Sequence, residues 1–269
     1  MAITALYSGA TGLSALSTEL DVISNNLANV NTKGFKASRV NFEDLVYQEK
    51  AQPGVENANG DERPMGLFVG LGTRVSNTQF DFTQGDPIST NSQLDMCIAG
   101  RGFFQVQLAN GAGDGTGYSR AGNFTLNSNG EMVLGTANGP RLEPPIQIPQ
   151  EATAIDITSD GQVWVQLPNQ VDPQQIGQIE LAQFINPEGL KPIGGNVYIP
   201  SGSSGPAITG VPDESNFGSI LQQHLEASNV NPVTELTELI RTQRAFEMNS
   251  KSIQAADQSL QVISNLQRF

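Results

Sequence analysis

The sequence contains a single cysteine and a single histidine, two residue types that often carry catalysis or bind metals. They are Cys97 and His224. A disulfide within one chain is therefore impossible, and a zinc site built from Cys and His cannot be assembled. Cys97 lies between Met96 and Ile98, so we expect it to be a small core hydrophobe. We expect His224 to be solvated or hydrogen-bonded locally.

The remaining candidates for chemistry are glycines and acids. The alternating glycines at 111, 113, 115 and 117 are followed neither by a helix nor by Gly-Lys-Ser/Thr, which predicts a flexible hairpin loop and not a phosphate site. The adjacent acids Glu43–Asp44 and Asp213–Glu214 are expected to be solvated charges. Neither a Gly-x-Ser-x-Gly elbow nor a His-Glu-x-x-His motif occurs. The sequence therefore predicts a protein that is not an enzyme and that binds no cofactor or metal.

The charge balance limits the possible partners. The chain has 27 acidic and 14 basic residues, for a net charge of -13 and a pI near 4.4. This balance argues against binding along a nucleic-acid backbone, and no basic amphipathic face is present for insertion into anionic lipid. The first 27 residues lack a basic region followed by a continuous apolar run, so we expect no cleavable signal peptide.

The two ends of the chain have the periodicity of long helices. From 233 to 269 there is neither glycine nor proline, and a helix over 232–267 would be about 50 Å long. Near the start, Gly9 and Gly12 lower the helix propensity, so the strongest N-terminal helix is expected over 13–28. Helices this long need partners, either the other end of the chain or other copies of it. The apolar residues that recur every seventh position, and that we expect to be buried between helices, are Leu13, Leu20, Leu27, Leu239, Phe246, Ile253 and Leu260.

The middle of the chain has the pattern of short strands joined by tight turns. Asn129-Gly130 and Asp160-Gly161 each separate two short apolar runs, which is typical of β-hairpins. The predicted fold is therefore α+β, with paired terminal helices and a central, mostly antiparallel β domain. The predicted divisions are a terminal helical domain (1–33 plus 228–269), a connecting segment 34–90 with a protruding loop 48–66, a β domain 91–215 and a return linker 216–227.

Several motifs resemble those of one protein family. The run from Leu20 to Phe35 resembles the N-terminal signature of the bacterial flagellar rod and hook proteins. The runs 228–231 and 243–251 resemble the C-terminal signature of these proteins, and 102–106, 118–124 and 145–149 resemble their central β region. The chain length and the loop 48–66 are most similar to members that build the distal rod.

This resemblance implies a structural subunit. Its terminal helices would pair as a coiled-coil-like inner tube domain, its β domain would lie outside, and the subunits would stack into a rigid helical rod that transmits motor torque to the hook. The implied partners are further copies, the proximal rod and hook proteins, the surrounding periplasmic and outer-membrane rings, and the type III export apparatus. The implied location is the periplasm-spanning part of the basal body. Loop residues implied to contact neighbouring subunits are Gln52, Pro53, Asn59, Asp61 and Arg63.

Alternatives remain open at this point. A hook subunit or a proximal rod subunit of the same family would share the polymer architecture but would occupy another position along the axis. A secreted β-rich enzyme with helical ends would instead need two carboxylates that converge in a cleft.

Overall fold

The computed structural model describes residues 2–54, 64–108, 115–168, 172–214 and 216–266. The chain divides into two compact units. The helical unit comprises Met1–Ala28, Ser38–Gln79 and Asn231–Phe269, and the β unit comprises Asn29–Ala37 and Phe80–Val230. The predicted divisions placed residues 29–33 in the terminal helical domain and residues 34–37 and 80–90 in a connecting segment. All of these residues belong to the β unit. Each unit contains segments that are far apart in the sequence.

Two long helices form the first part of the helical unit. They are α1, Ala2–Ala28, and α2, Pro232–Leu266, so the prediction of a helix at each end is confirmed. Pro232 opens α2 at the position where its missing N–H costs nothing. Asn231 caps the helix, because its Oδ1 accepts hydrogen bonds from the backbone N–H of Val233 (3.0 Å) and Thr234 (3.4 Å).

The two helices pack against each other at glycines. A Cβ atom on Gly9 would lie 2.7 Å from Ile253 Cγ1, and one on Gly12 would lie 2.5 Å from Asn249 Nδ2. The expectation that the strongest helix starts at 13 missed this role of the two glycines. Their cost in helix propensity is offset because they let the backbone of α1 approach α2 closely.

Two β-ribbons complete the helical unit. Strand β1, Ser38–Asp44, pairs with β4, Thr73–Phe80, and β2, Tyr47–Ala51, pairs antiparallel with β3, Leu67–Gly70. Residues 48–51, which the sequence analysis assigned to a loop, are therefore a strand. Most of the β2 side chains are exposed, so no alternation of apolar and polar residues marked it.

The β unit contains sixteen strands within the described residues. These are β5 Pro87–Ser89, β6 Met96–Ala99, β7 Phe103–Gln107, β8 Thr116–Ser119, β9 Phe124–Leu126, β10 Met132–Leu134, β11 Arg141–Glu143, β12 Ala154–Ile157, β13 Gln162–Gln166, β14 Gln174–Gln178, β15 Leu181–Gln183, β16 Lys191–Gly194, β17 Val197–Ile199, β18 Ile208–Gly210, β19 Ser219–Gln222 and β20 His224–Glu226. A short 3₁₀ helix, Pro187–Gly189, follows β15.

Most of these strands form one antiparallel sheet. Its order is β16-β17-β8-β7-β11-β10-β9, and β15 pairs with both β7 and β18. A separate three-stranded sheet has the order β12-β13-β14. The two predicted hairpins are present, since Asn129-Gly130 joins β9 to β10 and Asp160-Gly161 joins β12 to β13. Both turn glycines have positive φ, 77° and 81°, where a side chain would be strained.

The segment 216–227, which the sequence analysis describes as a linker, contains two strands. β19 pairs with β6, and β20 pairs with β5. Each partner strand lies more than a hundred residues earlier in the sequence, so no turn signal announces the pairing. These strands make residues 219–222 and 224–226 part of the β unit.

The core of the β unit is a single large apolar cluster. Met96, Ile98, Phe104 and Leu181 are among its fully buried members. Cys97 is 0% exposed, as expected of a core hydrophobe, and burial raises the pKa of its thiol to about 11. The thiol therefore stays protonated at neutral pH, which makes it a poor nucleophile.

The close approach of the two helices generates a prediction. We expect Gly9→Leu to lower the stability of the helix pair by about 1–3 kcal/mol, because the new side chain collides with Ile253. Hydrogen exchange of the α1 amides, read by mass spectrometry, measures the effect. Ala10→Leu is the matched control, since Ala10 is exposed one residue further along the same helix. Equal exchange rates in the two variants would contradict the prediction.

Candidate assembly surfaces and a buried charge cluster

Three charged side chains meet inside the β unit. Lys36 Nζ lies 2.6 Å from Glu226 Oε1, and Arg120 Nη1 lies 3.6 Å from Glu226 Oε2. The side chains of Lys36 and Glu226 are 0% exposed, and that of Arg120 is 5% exposed. We call Lys36, Arg120 and Glu226 the buried charge cluster. Its closure to solvent makes it a structural element, because no substrate could reach these groups.

Each member of the cluster comes from a different part of the chain. Lys36 follows α1 in the segment 29–37, Arg120 comes directly after β8, and Glu226 ends β20. Gly34 helps to bring them together, since its N–H donates to the Glu226 backbone oxygen at 2.8 Å. Gly34 has a φ of 70°, and a Cβ on it would lie 2.7 Å from the backbone nitrogen of Ala121. Only glycine fits this position.

Backbone groups supply further hydrogen bonds to the cluster, although Arg120 Nε and Glu226 Oε2 are buried without a hydrogen-bond partner among the described residues. Lys36 Nζ also donates to the carbonyl of Thr83 at 2.6 Å, and Arg120 Nη2 donates to the carbonyl of Gly100 at 2.7 Å. Glu226 Oε1 accepts a further bond from the N–H of Gly85 at 2.9 Å. Such extra bonds are what allows buried charges to persist.

The electrostatics of the cluster reflect burial. Burial lowers the pKa of Lys36, an effect that the adjacent Glu226 carboxylate opposes. Burial likewise lowers the pKa of Arg120, again against the attraction of Glu226. Burial and the same carboxylate raise the pKa of nearby Tyr198 to about 12. Two cations thus share one carboxylate, which leaves an excess of positive charge inside the β unit.

Two asparagines tie backbone segments together at the ends of the helices. Within the β unit, Asn229 Oδ1 accepts from the N–H of Ala37 at 2.7 Å, and Nδ2 donates to the carbonyl of Asp81 at 2.8 Å. Within the helical unit, Asn26 bonds both the carbonyl (2.8 Å) and the N–H (3.0 Å) of Ser38. Each asparagine therefore supplies both a donor and an acceptor to extended backbone, as a neighbouring strand would.

Sequence reasoning missed both the cluster and the two asparagines as structural elements. Arg120, Asn26 and Asn229 lie inside the motifs that carry the family resemblance, and Lys36 comes one residue after such a motif. Their position in or next to these motifs was the signal that could have marked them as structurally important. The pairing itself could not be predicted, because the three charges are 84 or more residues apart.

The seven predicted seam residues are distributed on both helices. Leu13, Leu20, Leu27, Leu239, Ile253 and Leu260 are half-buried, and Phe246 is 36% exposed. On α2 they alternate with Thr242, Asn249 and Ala256, which are also buried or half-buried. The single chain thus leaves part of each apolar seam accessible. Contact with neighbouring subunits at these residues stays a prediction.

Further apolar side chains of the helical unit face solvent. On α2 these include Val233, Leu236, Ile240 and Met248. The ribbons add another group: Val46, Tyr47, Met65, Leu67 and Phe68. Exposed apolar surface of this extent is typical of a surface that another protein covers.

The predicted inter-subunit loop is described only in part. Gln52 and Pro53 are exposed directly after β2. Asn59, Asp61 and Arg63 lie outside the described residues. Of the glycine run, positions 111 and 113 also lie outside them, and Gly117 is part of β8.

The candidates for chemistry do not converge on a reactive site. His224 Nδ1 lies 2.7 Å from the carbonyl oxygen of Gln222, which fits the expected local hydrogen bond. The Glu43 carboxylate pairs with Arg74 at 2.8 Å in an exposed ribbon. Over the described residues, no three acidic, cysteine or histidine side chains are grouped as metal ligands. Neither α1 nor α2 combines the length and the apolar content of a membrane-spanning helix over its described residues.

The buried charge cluster generates a prediction. Glu226→Gln removes the shared carboxylate and leaves Lys36 and Arg120 buried without a counter-charge, so we expect a loss of about 3–5 kcal/mol in the free energy of unfolding. Urea denaturation followed by the fluorescence of Trp164, the single tryptophan, measures it. Glu43→Gln is the matched control, because it breaks an exposed ion pair that solvent screens and that contributes little to stability. Equal unfolding midpoints for the two variants would contradict this role.

Three family descriptions match separate parts of the chain. Residues 6–36 match "Flagella basal body rod protein", and residues 97–165 match "Flagellar hook protein FlgE/F/G D1 domain". Residues 221–266 match "Flagellar basal body rod FlgEFG protein C-terminal". The first and last of these matches include Lys36 and Glu226, and the middle one includes Arg120.

Relatives match over almost the whole chain. The flagellar basal-body rod protein FlgG of Agrobacterium fabrum is 44% identical, covering 97% of this chain and 98% of the relative. FlgG of Bacillus subtilis is 40% identical over 98% of both. The rod protein FlgF of Caulobacter vibrioides is 34% identical over 92% of this chain and 91% of the relative. This chain therefore belongs to the flagellar basal-body rod protein family that includes FlgG.

Proposed function

We propose that this protein is the structural subunit of the distal rod of the flagellar basal body, where it self-assembles into a rigid helical tube that transmits motor torque to the hook. The observation that carries this proposal is the 40–44% identity to FlgG proteins over 97–98% of the chain. The similarity spans the terminal helices and the β unit together, so the proposed role is that of the whole subunit. It is a structural role and not a catalytic one.

In the proposed tube, the terminal helices pack in a coiled-coil-like arrangement with those of neighbouring copies. Support comes from the half-buried seam and from the exposed apolar side chains on α2. Burying apolar surface contributes about 25 cal/mol per Å², so covering these side chains favours polymerisation. A contact between two different patches that does not close on itself produces an open helical filament.

The loop 48–66 is proposed to add stiffness to the rod. Gln52 and Pro53 are exposed beyond the paired strands β2 and β3, which supports a contact outside the subunit's own fold. We propose that Asn59, Asp61 and Arg63 share this contact. A ribbon that bridges copies would resist their rotation relative to one another.

The proposed partners follow from a position between two other axial structures. They are the proximal rod on one side, the hook on the other, and the periplasmic and outer-membrane rings around the rod. The proposed location is the periplasm-spanning section of the basal body. We further propose that the subunit leaves the cytoplasm through the type III export apparatus.

A second candidate function is a neighbouring position in the same axial structure. The 34% identity to a FlgF protein and the match to a description shared by hook and rod proteins favour a proximal rod or hook subunit as the alternative. All three roles use a helical polymer. They differ in the shape of the tube and in what lies at its ends.

Polymerisation of the purified protein tests the proposed function. We expect straight tubes of uniform diameter in electron micrographs, because a drive shaft must be stiff. A curved tube would favour the hook alternative. A protein that stays monomeric at high concentration, and that also fails to restore rods in cells lacking their own distal rod subunit, would contradict a rod function.

The seam is tested by Leu20→Ala. We expect the critical concentration for tube formation to rise at least tenfold, because truncating a buried leucine costs about 2–5 kcal/mol. Sedimentation of polymer from monomer measures the critical concentration. Ser17→Ala is the control, since Ser17 is exposed one turn earlier on α1. An unchanged critical concentration would place Leu20 outside the subunit contacts.

A further inference from the structure

A cavity of about 290 Å³ opens beside the buried charge cluster, within the β unit. Its apolar wall includes three aromatic rings that hold one another in edge-to-face contacts, with centroid distances of 5.5 Å for Phe82–Phe103 and 5.9 Å for Phe103–Phe184. Two arginines, Arg101 and Arg120, also line it. The cavity thus combines a fixed apolar wall with positive charge.

The positive charge of this cavity is not balanced by the described residues. Arg120 shares Glu226 with Lys36, and its Nε, although buried, has no hydrogen-bond partner in the described part of the chain. Arg101 is exposed and forms no ion pair with any described residue. An incoming carboxylate would therefore meet the exposed cation of Arg101, with the buried Arg120 behind it, which favours an anionic ligand.

A ligand of this cavity must also present an apolar group, because the mouth of the cavity is apolar. Ile185 lines it and is 81% exposed, an unusual environment for an isoleucine on a protein that has no partner. A ligand that covers Ile185 while it reaches the arginines must present an apolar group next to a carboxylate. A peptide segment with adjacent acidic and aliphatic residues has this chemistry.

The chain itself contains such a segment. At the corner between β1 and β2, Val46 is 77% exposed, and the exposed Asp44 is hydrogen-bonded to the Tyr47 side chain but forms no ion pair with a described residue. The N–H of Leu45 is bonded to the carbonyl of Gly72 at 2.9 Å, which holds the corner in place. The acid and the aliphatic side chain are two residues apart, so both can enter one site.

We propose that the cavity lined by Arg101 and Arg120 is a docking site for the Asp44–Val46 corner of a second copy of this chain. The carboxylate of Asp44 pairs with the exposed Arg101 at the mouth of the cavity, and Val46 covers Ile185 and the aromatic wall. The net charge of -13 makes an acidic segment of another copy a suitable partner for this locally basic site. The inference rests on the proposed function and deepens it, because two different patches of the same chain form an open polymer.

Cross-linking between copies tests the contact directly. One sample of the full chain carries Val46→Cys, another carries Ile185→Cys, and the two are mixed and treated with a short bismaleimide. We expect covalent dimers in the mixture and none from the wild type, whose single Cys97 is buried. Absence of dimers from the mixture, in tubes or in concentrated solution, would overturn the proposal.

Charge reversal gives a second, independent readout. We expect Arg101→Glu and Asp44→Arg each to raise the critical concentration for tube formation at least tenfold, and the two changes in one chain to restore it. Lys191→Glu is the control for charge alone, since Lys191 is an exposed cation elsewhere in the β unit. Wild-type-like tubes from Arg101→Glu would overturn the docking site and leave the rod function intact. Failure of the wild type to form tubes would count against the rod function, while the cross-link would still decide the contact.

Discussion

The carboxylate of Glu226, held between Lys36 and Arg120, is the interaction on which the β unit depends most. It joins the segment that follows α1, the end of β8 and the last strand before α2. A buried ion pair adds little net stability compared with apolar packing, but losing one partner is costly. We infer a role in specificity, because the arrangement that brings these three distant segments together gives both buried cations a shared counter-charge.

A few asparagine and glycine residues determine the local structure at the ends of the helices and in the contact between them. Asn26 and Asn229 bond to backbone groups of extended segments, and Gly9 and Gly12 let the two helices approach each other. Within the helical unit, the close approach at the two glycines pairs α1 with α2 and leaves part of their apolar side chains exposed. The subunit is folded and yet keeps a surface that only another protein can cover, which suits a polymer.

The β unit also contains charged groups that are only partly paired within the subunit. Glu226 is the shared counter-charge of Lys36 and Arg120, so the cluster contains more positive than negative charge. The apolar cavity lies next to Arg120. Meanwhile the chain as a whole is strongly acidic. The proposed contact between unlike patches of identical copies would use that distribution and would give the assembly a direction.

The sequence by itself determined the features that depend on near neighbours: the two long helices, the hairpin turns at Gly130 and Gly161, the buried Cys97 and the family. Helix periodicity and turn chemistry are local, so a short window contains the whole signal. Only the tertiary structure decided that residues 48–51 and 219–226 are strands, why α1 carries Gly9 and Gly12, and that Lys36, Arg120 and Glu226 meet. Each of these depends on a partner at least sixteen residues away, and often more than a hundred, and no local pattern specifies such a partner.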